Sequence, residues 1–569
     1  MIRNCWTPCA TLLLTALLPA TASSADAHWI QLHSTSFDLY TTAGARNARD
    51  TLTEFEQVRG FFAQTFGASV AKTGRVRLIV FNSAKEFEPF RLNEYAIAYY
   101  HQSPEHDSIV MDHGGIDTFP IAVHEYVHLL ARHQGLRFPP WLNEGLAEFY
   151  STLHAQGDRI VLGGLVAGRY RALLGTNWVP LSTILTVDRK SPYYNEKDKA
   201  GSLYNEGWAL THMLYLDPRY RPKFHELTTL ISSGTDSREA LMRTFGKSIS
   251  QIDHELMLYL RSGDFRALVL PAKLDKSVED LAETPLADFD RDLALLDLLD
   301  KPGREVAVRT ALEQLMARQP HRPEPYEQLA YLAWRQRNNE DAFRNFAKAY
   351  ELGDREPYLL WDYGRFLEAR NPTAALPVLA ELLAQAPDRM DARLELAEMY
   401  LRQNRPKDAI ALLGAVRTLS PDTISRFFHV AVAAHLADGD VPRAKSAADR
   451  FLQISNTDGQ RAEARELQEA AGAAHLSATL RPARPAASGR FVDLDCDEEQ
   501  ARMMVDTADG KQTFLIEDPS RVQIARGQSG PVNLVCGPQA PPLAVRVEYD
   551  LPAPGQTGIR GVVRLLSFE

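Results

Sequence analysis

Residues 121–150 read IAVHEYVHLLARHQGLRFPPWLNEGLAEFY, and the chain's most specific pattern of reactive side chains lies in them. His124 and His128 stand four apart in an apolar run of Ile121, Val123, Val127, Leu129 and Leu130 whose period is helical. Residues four apart share a helix face, so the two imidazoles can converge on one metal ion, with zinc the usual choice. Glu125, one residue round, is placed to reach a metal-bound water and act as its base. The helix is expected to end near Gly135, with Pro139 and Pro140 in an extended turn. Trp141 then opens a second helix carrying Glu144 and Glu148 on one face. Helices joined by so short a connection pack antiparallel, which would return Glu144 over the histidines as a third ligand.

HExxH followed by WLNEGLA resembles the gluzincin metallopeptidases, the thermolysin-like and aminopeptidase-like clan. The resemblance implies His124, His128 and Glu144 as zinc ligands and Glu125 as general base. Glu148 falls where the clan often has an aspartate that hydrogen-bonds a liganding histidine, which implies an orienting role for this glutamate. Only positions 129–143 separate His128 from Glu144, fewer than in the best-known aminopeptidase branch, and the arrangement looks more like bacterial secreted gluzincin-like proteins. No Gly-x-Met-Glu-Asn segment precedes His124, so an endopeptidase is expected rather than a general aminopeptidase. The competing reading is an amphipathic helical hairpin with core histidines and solvated carboxylates.

Residues 28–120 read as a mixed α/β subdomain and 121–270 as the helical zinc-binding subdomain. Strands are expected within 29–40, at 76–81 (VRLIVF), at 96–100 and at 108–112 (SIVMD), with a helix over 45–66. In the gluzincin arrangement the strand before the HExxH helix is a sheet edge along the active site. Carried over, SIVMD would pair with an extended peptide substrate; the alternative is a strand covered by its own domain. Segment 201–216, GSLYNEGWALTHMLYL, resembles the tyrosine-bearing helix that follows the metal motifs in this group. Tyr204 is the candidate oxyanion donor, the alternative being a core aromatic; His212 is a weaker candidate, and Tyr193 and Tyr194 compete from a polar loop. His113 and His133 are read as solvent-facing.

Residues 1–27 form a secretory signal peptide, with Arg3, an apolar segment over 10–18 and small residues before cleavage after Ala22 or Ala27. No later apolar run has transmembrane length, so an exported protein, periplasmic or extracellular, is expected. Cys5 and Cys9 do not follow the apolar core as a lipobox cysteine would. The remaining pair, Cys496 and Cys536, suggests a disulfide in an oxidising compartment, against the alternative of two buried thiols. A net charge of −10 over 569 residues gives no electrostatic case for nucleic acid.

Over 281–475 a small residue recurs after each inter-helix turn, at Ala307, Ala342, Ala375, Ala409 and Ala444, with spacings of 35, 33, 34 and 35. Through this period, and through PEPYEQLAYLAWRQRNNEDAFRNFAKAYEL, the region resembles tetratricopeptide repeats, an all-α solenoid with a concave surface for a protein partner. A linker over 476–489 and a small β-rich accessory domain over 490–569 follow.

The expected fold is thus multidomain α+β: a thermolysin-like gluzincin domain, a tetratricopeptide-like solenoid and a small C-terminal β domain. The expected function is zinc-dependent peptide hydrolysis on a peptide or protein substrate. An envelope assembly scaffold that binds proteins through its repeats is the alternative, and hydrolysis of a non-peptide amide is a third reading.

Overall fold

The computed structural model describes residues 28–568 except 68–69, 71–73, 94–95, 104–105, 115–117, 135, 137, 176–177, 189–190, 192, 194–196, 233–234, 272–280, 420–422, 456–457, 474–485, 497–500, 508–509, 518–521, 527–535 and 551–557. The expected signal peptide, Tyr194 and parts of the expected β-rich domain over 490–569 lie outside the described residues. Among those described, no helix is long and apolar enough to cross a membrane. By internal contacts the chain divides into two units. One comprises Met1–Gln134, Tyr150–Gly164 and Ala267–Asn345; the other comprises Gly135–Phe149, Leu165–Arg266 and Phe346–Glu569.

In the first unit, alternating burial marks β1 (Ile30–His33) and β2 (Phe37–Thr41), near-continuous burial marks β3 (Val76–Phe81) and β5 (Asp107–Asp112), and β4 (Ala98–Gln102) is buried at its start. With β9 (Thr284–Pro285) they form one sheet in the order β4-β5-β3-β2-β1-β9. The expectation that SIVMD is the sheet edge is corrected here. It forms β5, which pairs with β3 on one side and β4 on the other, and β4 takes the edge. Because β4 and β5 form a hairpin, the later strand is covered by the earlier one. A second, three-stranded sheet joins β6 (His154–Gln156), β7 (Arg159–Leu162) and β8 (Leu268–Pro271).

Helix Ala45–Phe66 buries Leu52, Phe55, Val58, Phe61 and Phe62 along one stripe. Its Glu56 carboxylate accepts from Ser34 Oγ at 2.6 Å and Ser36 N at 2.9 Å, which fixes the helix to the turn between β1 and β2. Tyr126, fully buried on helix Thr118–His133, packs against Phe37, Phe55 and Phe62. The histidine-bearing helix is therefore positioned by a large aromatic on its inward face.

This unit also contains the first repeat helices, Asp288–Leu299, Glu305–Arg318 and Glu324–Arg335. Phe289, Leu293, Val308, Leu312, Leu315, Leu329 and Leu332 form their shared core. Ala307 is exposed and Val308 is buried, so the first helix pair is one residue out of the expected frame. Counted from Val308 to Ala342, its interval is 342 − 308 = 34.

In the second unit, Trp141, Leu203, Trp208, Leu210, Met213, Tyr220, Leu241 and Leu256 anchor a helical core. The later repeats are helix pairs Pro357–Arg370 with Pro372–Gln385, Met390–Arg402 with Pro406–Gly414, and Ile424–Ala437 with Val441–Ile454, then a final helix Asp458–Gly472. Ala375, Ala409 and Ala444 are fully buried, as the close approach of paired helices requires. The C-terminal β region has strands β10 (Ala486–Cys496), β11 (Ala501–Thr507), β12 (Gly510–Ile516), β13 (Gln523–Arg526), β14 (Gly537–Asp550) and β15 (Gly561–Phe568). The pairing of β12 with β15 closes them into a small barrel around Phe491, Met503, Phe514, Val547 and Leu566. Its first strand starts at Ala486, inside the stretch read as linker. Gly489 is the reason: an added Cβ would stand 2.3 Å from Asp506 O, so this small residue belongs to a tight strand crossing rather than a flexible tether. Cys496 and Cys536 form a disulfide.

Candidate metal centre

Helix Thr118–His133 buries Ala122, Val123, Tyr126, Val127, Leu129 and Leu130. The buried His124 and the half-buried His128 stand one turn apart on it, their Nε2 atoms 3.0 Å apart and the rings nearly perpendicular at 82°. Helix Pro140–Tyr150 carries Glu144, which is 4% exposed. One ligand atom from each of His124, His128 and Glu144 lies within 4.8 Å of the others. Two nitrogens bound tetrahedrally at zinc's usual distance stand roughly 3.3 Å apart, so the imidazole pair fits a zinc ion in spacing, and a carboxylate beside it is a donor type that zinc accepts.

Glu125 is half-buried beside this group, and its Oε2 accepts a hydrogen bond at 3.1 Å from the backbone N–H of Tyr100 on the edge strand β4. The structure thereby brings the carboxylate expected to act as base against the terminal strand of the sheet. Tyr100 donates its hydroxyl to Asp107, whose other oxygen meets His133 Nε2. His133 is exposed, as read from sequence, and it also ties the end of its helix to β5. The Asp107 carboxyl is pushed up by burial but held below its ordinary value by the hydrogen bonds from His133 and Tyr100.

Glu148 is buried and ion-paired with Arg169, which also donates to Asn205 Oδ1 at 3.4 Å and lies 5.2 Å from the centre of the half-buried Tyr204 ring. Arg169 thus links Glu148 to the tyrosine helix Lys197–Leu216, a role the sequence reading missed. His212 is a core residue: it is fully buried, shares a 2.8 Å hydrogen bond with Tyr259 and packs on Trp208, Phe149 and Phe265. The spacing that suggested a site residue instead satisfies a polar ring inside an aromatic cluster.

Gly145 and Gly207 were also missed. A Cβ on Gly145 would lie 2.3 Å from Thr211 Oγ1 and 2.5 Å from Gly207 O, and one on Gly207 would lie 2.7 Å from Trp141 O. The helix carrying Glu144 and the helix carrying Tyr204 therefore touch backbone to backbone. The signal was present as a repeated triplet, Asn143-Glu144-Gly145 and Asn205-Glu206-Gly207.

A tetratricopeptide repeat family model matches residues 366–429. The chain contains a tetratricopeptide repeat region. Its repeats are similar to those of YrrB, described as a TPR protein with an unusual peptide-binding site, at 16% identity over 32% of this chain and 92% of that one, with a TM-score of 0.28. They are likewise similar to Pseudomonas aeruginosa PilF, at 14% identity over 32% of this chain and 81% of that one, TM-score 0.24. For PilW, a type IV pilus biogenesis factor, the figures are 16% identity, 33% and 90% coverage and a TM-score of 0.23. No curated protein matches the chain. The gluzincin resemblance rests on the motif residues themselves.

Proposed function

We propose that the chain is an exported protein-binding scaffold whose tetratricopeptide region recruits a protein partner. The observation that carries this reading is the repeat match together with its stacked, alanine-sealed helix pairs. Along the first helices of successive repeats, Arg402 pairs with Glu368, and Arg426 pairs at 2.7 Å with both Glu395 and Glu398. These pairs lock neighbouring repeats at the face where the first helices line up, leaving Trp361 half-buried with the guanidinium groups of Arg365 and Arg389 at 5.8 and 5.3 Å. An amphipathic aromatic framed by arginines suits recognition of a polypeptide.

A second reading, zinc-dependent hydrolysis of a peptide bond, is favoured by the convergence of His124, His128 and Glu144 with Glu125 beside a sheet edge. His124, His128 and Glu144 would hold the ion, which when bound supplies Lewis-acid polarisation of a carbonyl and acidifies a water. Glu125 would take the water proton at its carboxylate and return it to the leaving amine. The N–H of Tyr100 would orient that carboxylate, and the terminal strand β4 would lie beside an extended substrate. Tyr204 is the proposed oxyanion donor, and Arg169 would set its position through Glu148.

The test compares wild type, Glu144→Ala, Glu125→Gln and a repeat-face double variant, Trp361→Ala with Arg365→Glu. Elemental analysis should give one zinc per wild-type chain and none in Glu144→Ala. In-cell crosslinking should give the same partner set for wild type and Glu125→Gln, and lose it in the repeat-face variant. Retention of all partners by that variant would refute the scaffold reading. Cleavage of a peptide library by wild type and not by Glu125→Gln would establish hydrolysis; absent zinc would remove the metal reading.

A further inference from the structure

A cavity of about 410 Å³ opens beside β1 in the first unit, lined in part by His28, Thr42, Gly44, Asn82, Glu86 and Glu283. His28 is held there because the next residue is anchored. The Trp29 ring is 4% exposed, and the Trp29 carbonyl accepts from Leu286 N at 3.0 Å. Two carboxylates line the same space. Glu283 is paired with Arg49. Glu86, on the short helix Ala84–Phe87 that follows β3, is half-buried and accepts from Thr42 Oγ1 at 2.5 Å, but it has no cation partner among the described residues. Thr42 Oγ1 in turn accepts from Asn82 N at 2.9 Å, which fixes the hydroxyl that holds this carboxylate. A half-buried carboxylate with no counter-charge leaves part of its desolvation cost unopposed. Helix Ala45–Phe66 starts at the same cavity without a side-chain cap, but its partial positive charge is spread over several N–H groups and offsets only part of that cost.

The two cleavage points read from the sequence deliver different charges to this place. Hydrolysis of the Ala27–His28 amide by a signal peptidase consumes one water, leaves a carboxylate on Ala27 and frees an amine on His28. That amine takes up a proton at neutral pH, since an α-amino group ordinarily titrates at about 7.7–8.0. Hydrolysis after Ala22 puts the ammonium on Ser23 instead and keeps Asp26, a further negative charge, two residues before His28.

We propose that the chain is processed at the Ala27–His28 bond and that this cavity binds the His28 ammonium so created, with Glu86 as its counter-ion. This rests on the reading of the chain as exported. The other titratable or charged groups at the site are the His28 imidazole and Glu283 with its partner Arg49. The pair ties the start of β1 to the segment after β3, so removal of the leader and closure of this corner of the sheet are one event.

The experiment expresses the full chain, isolates the exported product and measures its intact mass. Acylation of the α-amine by an N-hydroxysuccinimide ester at pH 7 is then followed on the N-terminal peptide. The proteins are wild type, Glu86→Gln and Glu88→Gln, the last an exposed carboxylate nearby in sequence. All three should have the mass of residues 28–569. A carboxylate within about 4–6 Å raises an amine by about one unit or more. Wild type and Glu88→Gln should therefore be acylated about tenfold more slowly than Glu86→Gln, and unfolding wild type in urea should raise its rate by a similar factor, a comparison that needs no variant to fold. A product beginning at Ser23 would overturn the proposal and leave export intact. Retention of Met1 would remove the export reading and the proposal with it. A product beginning at His28 whose amine reacts equally fast in folded wild type, Glu86→Gln and urea would overturn the ammonium site.

Discussion

Glu206 sits two residues from Tyr204 and is 1% exposed, with Oε1 accepting from Val179 N at 2.9 Å and Oε2 buried without a hydrogen-bond partner among the described residues. Burial pushes its carboxyl up to about 8, against a weaker opposing pull from the Val179 hydrogen bond. The folded state therefore prefers the neutral acid. For a group whose folded pKa is raised, the stabilising contribution is complete below the unfolded value of 4.5 and is lost as pH rises toward 8. Thermal denaturation should show the wild type losing stability across that window and Glu206→Gln, neutral at every pH, losing less. Parallel curves for the two proteins would show that Glu206 ionises freely. Nothing in the sequence marked this carboxyl, because its pKa is set by Val179, Asp253 and burial, all of them tertiary. His124, Glu125, His128 and Glu144 were legible because their relation is set by helical period and one short connection. Arg169 was not, since it reaches Glu148 from 21 positions away.

Helix Ala45–Phe66 and strand β3 fall where hydrophobic period alone puts them. Which strand lies at the sheet edge was not legible, because edge position depends on pairing order and not on the pattern within a strand. The contact of helices Pro140–Tyr150 and Lys197–Leu216 gives a sharper consequence. Gly207→Ala would put a methyl 2.7 Å from Trp141 O, backbone that cannot rotate away. Overpacking of this kind costs roughly 1–3 kcal/mol. Because Glu144 is on the displaced helix, the proposed metal site predicts that zinc affinity, measured by chelator competition, falls together with the melting temperature. Gly201→Ala, in the same helix with nothing within 4 Å, should leave zinc affinity unchanged and stabilise the helix slightly. Equal effects of the two substitutions would mean that glycine at 207 serves helix flexibility rather than close approach.

The sequence changes character near residue 281, which suggests that repeats begin where an independent catalytic domain ends. The structure instead runs the sheet into the repeats: β9 pairs with β1, Leu286 N bonds to Trp29 O, and Leu286, Leu295 and Leu298 complete the core around Trp29, Phe81 and Tyr99. Composition reports local propensity and solvent pattern, so it registers the change to paired helices but not that the first of them packs on a distant sheet. A chain truncated after residue 280 loses those three leucines, worth roughly 2 kcal/mol each in burial. The sum, about 6 kcal/mol, is comparable with the whole stability of many domains. Such a truncation should be insoluble or should melt without a cooperative transition. One ending at residue 473 removes the barrel, which has its own core and its own disulfide, and should keep the melting temperature of the full chain and, under the proposed metal reading, its zinc content. Differential scanning calorimetry of the two truncations distinguishes a sheet that needs its first repeat from one that merely precedes it, since only the former requires the shorter chain to fail while the longer one survives.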